Sequence, residues 1–132
     1  MRAVAVVVAA AGNNGNSSVN YPAGYAEVVS VAATDSNDRH ASFSNTNADV
    51  EVSAAGVNVW STKRGGGYVS FSGTSMATPH AAGVAALIAY RYPALTAAGI
   101  RSRLDNGVDD LGAAGRDSVF GFGRVNLVKA LL

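Results

Sequence analysis

Ser75 lies between a glycine and an alanine-rich apolar segment, in the run Phe71-Ser-Gly-Thr-Ser-Met-Ala-Thr-Pro-His80. Gly73 lets the backbone turn sharply. Met76 to Tyr92 then carries Val84, Leu87, Ile88 and Tyr92 at spacings of about three to four residues, the repeat of a helix with one buried stripe. The pattern predicts that Ser75 stands at a helix N-terminus. Unpaired amides and the positive end of the helix dipole gather there, and both favour negative charge developing on a nearby oxygen. A serine hydroxyl beside its own N–H suits acyl transfer in such a place. Thr74 or Ser75 also admits a plainer reading, as nothing more than an N-cap.

The eleven residues Gly73-Thr-Ser-Met-Ala-Thr-Pro-His-Ala-Ala-Gly83 resemble, nearly letter for letter, the nucleophile motif of the subtilases, the subtilisin-like serine proteases. Pro79 fits the same picture, since a proline in the first helical turn gives up no helical hydrogen bond. A second element agrees. Val4 to Ala11 is a continuous apolar run emptying into Gly12-Asn13-Asn14-Gly15, which reads as a parallel strand buried on both faces and ending in a tight loop. Subtilases carry such an Ala-Ala-Gly-Asn strand end, and the resemblance implies that Asn13 points its amide at the substrate oxyanion beside the Ser75 N–H. Taken alone, Gly-Asn-Asn-Gly is an ordinary turn. Met1-Arg2 and the apolar run also have the form of a secretory signal peptide, but its cleavage point would fall where the Gly12-Asn13 motif begins. A core strand accounts for the whole run.

Between the two motifs the chain reads as strands and turns. Tyr21 to Gly24 is a turn, Val28 to Ala33 a strand, Asp35 to Arg39 a polar loop, and Ala41-Ser-Phe-Ser44 another subtilase-like landmark. Val50 to Ala54 and Val57 to Trp60 read as strands divided at Gly56, and Gly65 to Gly67 as a hairpin tip before Tyr68 to Ser72. Pro93 stops the Ser75 helix, Thr96 caps another reaching about Asn106, and a closing helix runs from about Asn126 to Leu132. The resemblance implies an α/β fold, subtilisin-like and three-layered, with a mainly parallel sheet flanked by helices. At 132 residues the chain is an ordinary single domain, whereas a subtilase catalytic domain needs roughly twice that length. Residues 1–132 therefore read as the C-terminal half of such a domain.

Subtilases carry their catalytic aspartate and histidine upstream, in Asp-Thr-Gly-like and His-Gly-Thr-like motifs, and neither string occurs here. His80 does not replace the base: five residues on from Ser75 it lies about 140° around the helix. It reads as a buried structural histidine, His40 as an exposed loop residue, and Asp109-Asp110 as solvated loop charge. The expected enzyme is thus a serine endopeptidase acting on polypeptides. Ser75 is the nucleophile and Asn13 the oxyanion donor, and the missing Asp and His come from an N-terminal half or partner chain. Without them the chain alone would be inactive, and a catalytically inactive fragment or interaction module is the alternative. An esterase or acyltransferase using the same serine fits the motif less well. By resemblance, Ala10, Ala11 and Gly12 line one wall of the pocket for the residue before the cut and Asn20 lies near its floor. No acidic residue there signals a basic preference.

Lys and Arg number 10 against 9 Asp and Glu, so no basic surplus attracts nucleic acid. No run approaches the roughly 20 apolar residues of a membrane helix. With no cysteine and two distant histidines, neither disulfides nor a transition-metal site is expected, and no cofactor is required. By resemblance, carbonyls near Ala23, Tyr25 and Val28 with the Glu51 carboxylate would bind a calcium or sodium ion weakly, since such oxygens suit a hard cation; a turn with no metal is the plainer reading. The resemblance also implies a secreted protein.

Overall fold

A computed structural model describes residues 5–132. Met1 to Val4, with the start of the apolar run and the charged end of the signal-peptide reading, lie outside the described residues. The chain forms β1 (Val7–Ala10), β2 (Val28–Thr34), β3 (Val50–Ala55), a hairpin of β4 (Val59–Thr62) and β5 (Tyr68–Phe71), and α1 (Thr74–Arg91). After these come α2 (Ala97–Asn106), β6 (Val108–Asp109), β7 (Arg124–Val125) and α3 (Leu127–Leu131).

Five strands make one sheet in the order β1-β2-β3-β7-β6, parallel throughout except for β6. Its centre is β2, where Val28-Val-Ser-Val-Ala-Ala-Thr34 is buried at every position, as a parallel strand covered on both faces must be. β1 is shorter than expected and is not buried on both faces. It is the edge strand, partnered on one side by β2, and Val7 is half exposed.

α1 lies across the sheet, and α2 and α3 pack on α1. The stripe it buries is Ala77, Ala81, Ala85 and Ile88, of which Ala77, Ala81 and Ile88 join Val29, Val31, Val52 and Leu104 in one core cluster. Of the expected stripe, Ile88 is buried, Val84 and Tyr92 pack at its margin, and Leu87 is exposed. Short alanine side chains let the helix settle close to the strands, so that, Ile88 apart, its larger residues lie at the flanks. Pro79 is the sixth helical residue rather than a first-turn one, so the Ser75 carbonyl loses its partner four residues on. Thr96 caps α2 by accepting from the Gly99 N–H at 3.2 Å, and Asn126 caps α3 through the Lys129 N–H at 3.1 Å.

Strands do not all precede helices. β6 and β7 follow α2, and they overturn the reading of Asp109 as solvated loop charge. Asp109 sits in β6, paired to Arg124 and to Lys129, the latter at 2.6 Å. Lys129 above all, with Asn126 and Arg124 beside it, holds its carboxyl down to about 2. His40 is half-buried rather than exposed, bonding the Ser44 carbonyl at 2.9 Å and meeting Phe120 edge-on.

Candidate active site

The loop leaving β1 and the N-terminus of α1 meet at the carboxyl end of the parallel strands, where α/β sheets commonly bind ligands. Gly73 is the N-cap of α1, no side chain of its own turn caps the helix, and Ser75 is the second helical residue. The plain N-cap reading of Thr74 and Ser75 is therefore overturned. The orphan amide of Thr74 is satisfied from elsewhere: Asn13 Oδ1 accepts both the Thr74 N–H and the Thr74 hydroxyl, each at 2.8 Å. Thr74 Oγ1 in turn accepts the Gly12 N–H at 3.2 Å, and Thr74 is fully buried.

Since the Asn13 oxygen is taken up by two donors, its amide nitrogen is the group turned outward. The position a Cβ on Gly73 would occupy lies 3.6 Å from Asn13 Nδ2 and 3.7 Å from the Ser75 nitrogen. The two N–H donors thus flank one small space, kept open because residue 73 has no side chain. As the second residue of α1, Ser75 has no carbonyl four residues behind it within the helix, so its N–H remains available. Ser75 is exposed, and no side chain among the described residues hydrogen-bonds its hydroxyl.

Beside this space an open recess of about 580 Å³ is lined by Ala9, Ala10, Gly12, Asn20, Thr74 and Ser75 among others. Gly12 (φ 113°) brings the backbone close, since a Cβ there would meet Asn20 Nδ2 at 2.0 Å and Asn45 Nδ2 at 2.5 Å. Asn20 is half-buried on the recess. Ala11 is not part of its lining: its side chain packs inward with Ala32 and Val50. A second groove of about 420 Å³ on the other side of Ser75 is lined by Trp60, Phe71, Met76, Pro79 and His80. His80 is exposed there, which corrects the buried reading, and its Nδ1 bonds the Met76 carbonyl at 2.9 Å.

A family model described as Peptidase_S8, the subtilase family, matches residues 1–123. The chain belongs to the subtilase family. It is 51% identical over 125 residues to a thermostable alkaline protease of Halalkalibacterium halodurans, covering 95% of this chain and 34% of that protein. It is 48% identical over 130 residues to subtilisin DY of Bacillus licheniformis, covering 95% and 46%. This subtilase chain thus spans less than half the length of either relative. Its fold is that of a psychrophilic subtilisin-like protease, Apa1 from the Antarctic Pseudoalteromonas sp. AS-11, with a TM-score of 0.89 at 22% identity over 96% of this chain and 63% of that one.

The subtilase cation expectation meets a different arrangement. Arg101 on α2 grips Glu51 with two bonds (Nε to Oε1 2.6 Å, Nη2 to Oε2 2.5 Å) and donates to the Ala26 carbonyl at 2.9 Å and that of Val28 at 3.5 Å. The Tyr25 carbonyl accepts from the Val28 N–H. A guanidinium already supplies positive charge among these oxygens, so as arranged they do not suit a second cation. Asp105 lies in the same cluster with its Oδ1 buried and unpartnered among the described residues. Burial first, and the neighbouring Glu51 charge second, push its carboxyl up to about 8 against the pull of Arg101 and Arg116.

Asn45 was not singled out by the sequence, and Gly73 and Thr74 were read there only as a turn and an N-cap candidate, not as the groups that open the space and hold Asn13. Thr74 adjoins Ser75 in the motif, which is the signal that could have given it this role; Asn45 gave no local signal.

Proposed function

We propose that this chain is the serine-bearing part of a subtilisin-like serine endopeptidase. The observation that carries the reading is the pair of donors, Asn13 Nδ2 and the Ser75 N–H, flanking one space beside the Ser75 hydroxyl. Ser75 Oγ bonds to the scissile carbonyl carbon while its proton passes to a base. The carbonyl oxygen takes the charge, and the two N–H groups receive it. The base returns the proton to the departing nitrogen as the intermediate collapses, so an amine leaves and an acyl-serine remains, which water then hydrolyses. The residue before the cut enters the recess over Gly12, with Ala10 on its wall and Asn20 at its floor.

The base is an imidazole oriented by a carboxylate, brought by a segment other than residues 5–132. Support comes from the greater length of the relatives and from the open edge of β1. A shallow recess beside that edge, lined by Val6, Val8, Ala82 and Ala86, adjoins it. The second reading, an inactive subtilase module, is favoured by the Ser75 hydroxyl's lack of a hydrogen-bonded base. On the family likeness we also propose that the protein works outside the cell; no helix among the described residues is long and apolar enough to cross a membrane.

Fluorophosphonate labelling separates the readings. The chain alone should stay unlabelled. Co-production with a subtilase N-terminal segment bearing the Asp-Thr-Gly and His-Gly-Thr motifs should give labelling that Ser75→Ala abolishes. Labelling of the chain alone, lost in Ser75→Ala, would place a base within it; none in the complex would favour the inactive module.

A further inference from the structure

Asn45 is fully buried, and nothing in its local sequence explains a buried amide. Every polar atom of its side chain is engaged with the segment 11–18. Its Oδ1 accepts the Asn14 N–H at 2.8 Å. Its Nδ2 faces three oxygens: Asn14 Oδ1 and the Ser18 carbonyl, each at 3.1 Å, and the Ala11 carbonyl at 3.3 Å. Its backbone N–H donates to the Gly12 carbonyl at 3.0 Å. One side chain therefore ties the strand end that carries Asn13 to the loop that runs on to the recess floor.

The tie has a direction. Asn14 and Asn45 close a ring of two bonds, N–H to Oδ1 one way and Nδ2 to Oδ1 the other, which fixes both amides. The Asn14 oxygen so oriented accepts Asn20 Nδ2 at 3.1 Å. Asn20 then has one of its two N–H donors held by Asn14, which sets the amide's orientation, and no donor among the described residues takes its Oδ1. The neighbours Asn13 and Asn14 are thus held by different elements: Thr74 of α1 fixes Asn13, whereas Asn45 fixes Asn14 and, through it, Asn20.

We propose that Asn45 is a positioning residue for substrate selection, holding Asn20 by way of Asn14 so that the recess floor presents a carbonyl oxygen. Such a floor favours, before the cut, a neutral side chain that can donate a hydrogen bond. Asn45 leaves the oxyanion donor to Thr74. The proposal rests on the endopeptidase reading for its catalytic consequence, and its structural half is testable without activity.

Side-chain amide NMR of the labelled chain makes that separation. In Asn45→Asp the acceptor for the Asn14 N–H survives, but an oxygen replaces the donor that faces three other oxygens. The Asn14 and Asn20 amide resonances should shift and exchange faster, while the Asn13 amide stays in place. Asn14→Ala, at an exposed position, should displace the Asn20 resonance alike and leave Asn13 unmoved. Should the Asn45 variant not fold, the Asn45 side-chain amide of the unaltered chain should exchange slowly and do so faster in Asn14→Ala; free exchange in the unaltered chain would overturn the tie. Unmoved Asn20 resonances, or equal shifts at Asn13 and Asn14, would overturn the proposal. In the assembled protease Asn14→Ala should cut kcat/KM for a glutamine substrate by about tenfold, mainly through KM, relative to an alanine one. An unchanged glutamine-to-alanine ratio in a labelling-competent complex would overturn the selection role while sparing the peptidase reading.

Discussion

Asn13 and Thr74, 61 residues apart, meet through one oxygen: Asn13 Oδ1 accepts the Thr74 N–H and hydroxyl, each at 2.8 Å. The first amide of α1 is thereby capped by the residue whose nitrogen borders the same space as the Ser75 N–H. Helix capping and amide orientation are one interaction.

Thr74→Val keeps the shape and removes the hydroxyl. Asn13 loses one of its two donors, and the Gly12 N–H loses its buried acceptor. Unfolding of the chain should become easier by about 1–3 kcal/mol, read by urea denaturation, with a fall in kcat in the assembled protease. Full stability and full kcat together would show that the hydroxyl does not hold Asn13.

Asn13→Ala and Asn14→Ala separate charge stabilisation from pocket shape. In the assembled protease the first should lower kcat by roughly 10²–10³ with little change in KM, a magnitude known for the subtilisins as a class and carried over from them. The second should act chiefly on KM and selectivity. Equal kcat losses at both would mean the wrong amide has been placed at the oxyanion.

Gly73→Ala tests whether that space is functional. The backbone there is extended, and a Cβ would make ordinary contacts of 3.5 Å to Met76 Sδ, 3.6 Å to Asn13 Nδ2 and 3.7 Å to the Ser75 nitrogen. Stability should therefore change by no more than about 1 kcal/mol, whereas the methyl would fill the space proposed for the substrate oxygen and lower kcat. Unimpaired turnover in the assembled variant would argue that the oxygen binds elsewhere.

In α1, Ile88 is buried against the sheet and Leu87 is 44% exposed. Ile88→Ala should destabilise the fold by about 2–5 kcal/mol and Leu87→Ala by clearly less, measured by denaturant midpoint at constant slope. The reverse order would mean that the helix is rotated about its axis.

Asp105 makes stability depend on pH. Its folded pKa, about 8, stands above the ordinary 3.8, so the folded state holds the proton more tightly. The stabilisation is complete below about pH 4 and is lost as pH rises through 8. Thermal unfolding between those limits should show it, and Asp105→Asn should flatten the slope. Asp109, held down to about 2, acts oppositely and only in acid, its contribution being lost as pH falls through 2.

How much of this could be read in advance depended on how local each cause is. Ser75 was legible because Gly73, a linear motif and the apolar run after it adjoin in sequence, and the α2 cap because Thr96 directly precedes its helix; Asn126 was read as the start of α3 and is its cap. The buried face of α1 was not, since alanine fits inside or outside and its repeat points nowhere. β6 and β7 are two residues each and exist through pairing with each other and with β3, which no short window contains. Asn45 is an asparagine in a polar loop until the chain folds 11–18 around it.

Arg101 gives the turn at 26–28 a positive charge that is covalently attached. A diffusible ion holds such oxygens in proportion to its concentration; a tethered guanidinium is present at an effective concentration set only by whether α2 is folded. Melting α2 withdraws the charge from Glu51 and from both carbonyls at once. The helix, the turn and the end of β3 should therefore open as one cooperative unit, and no chelator can reach the link that joins them.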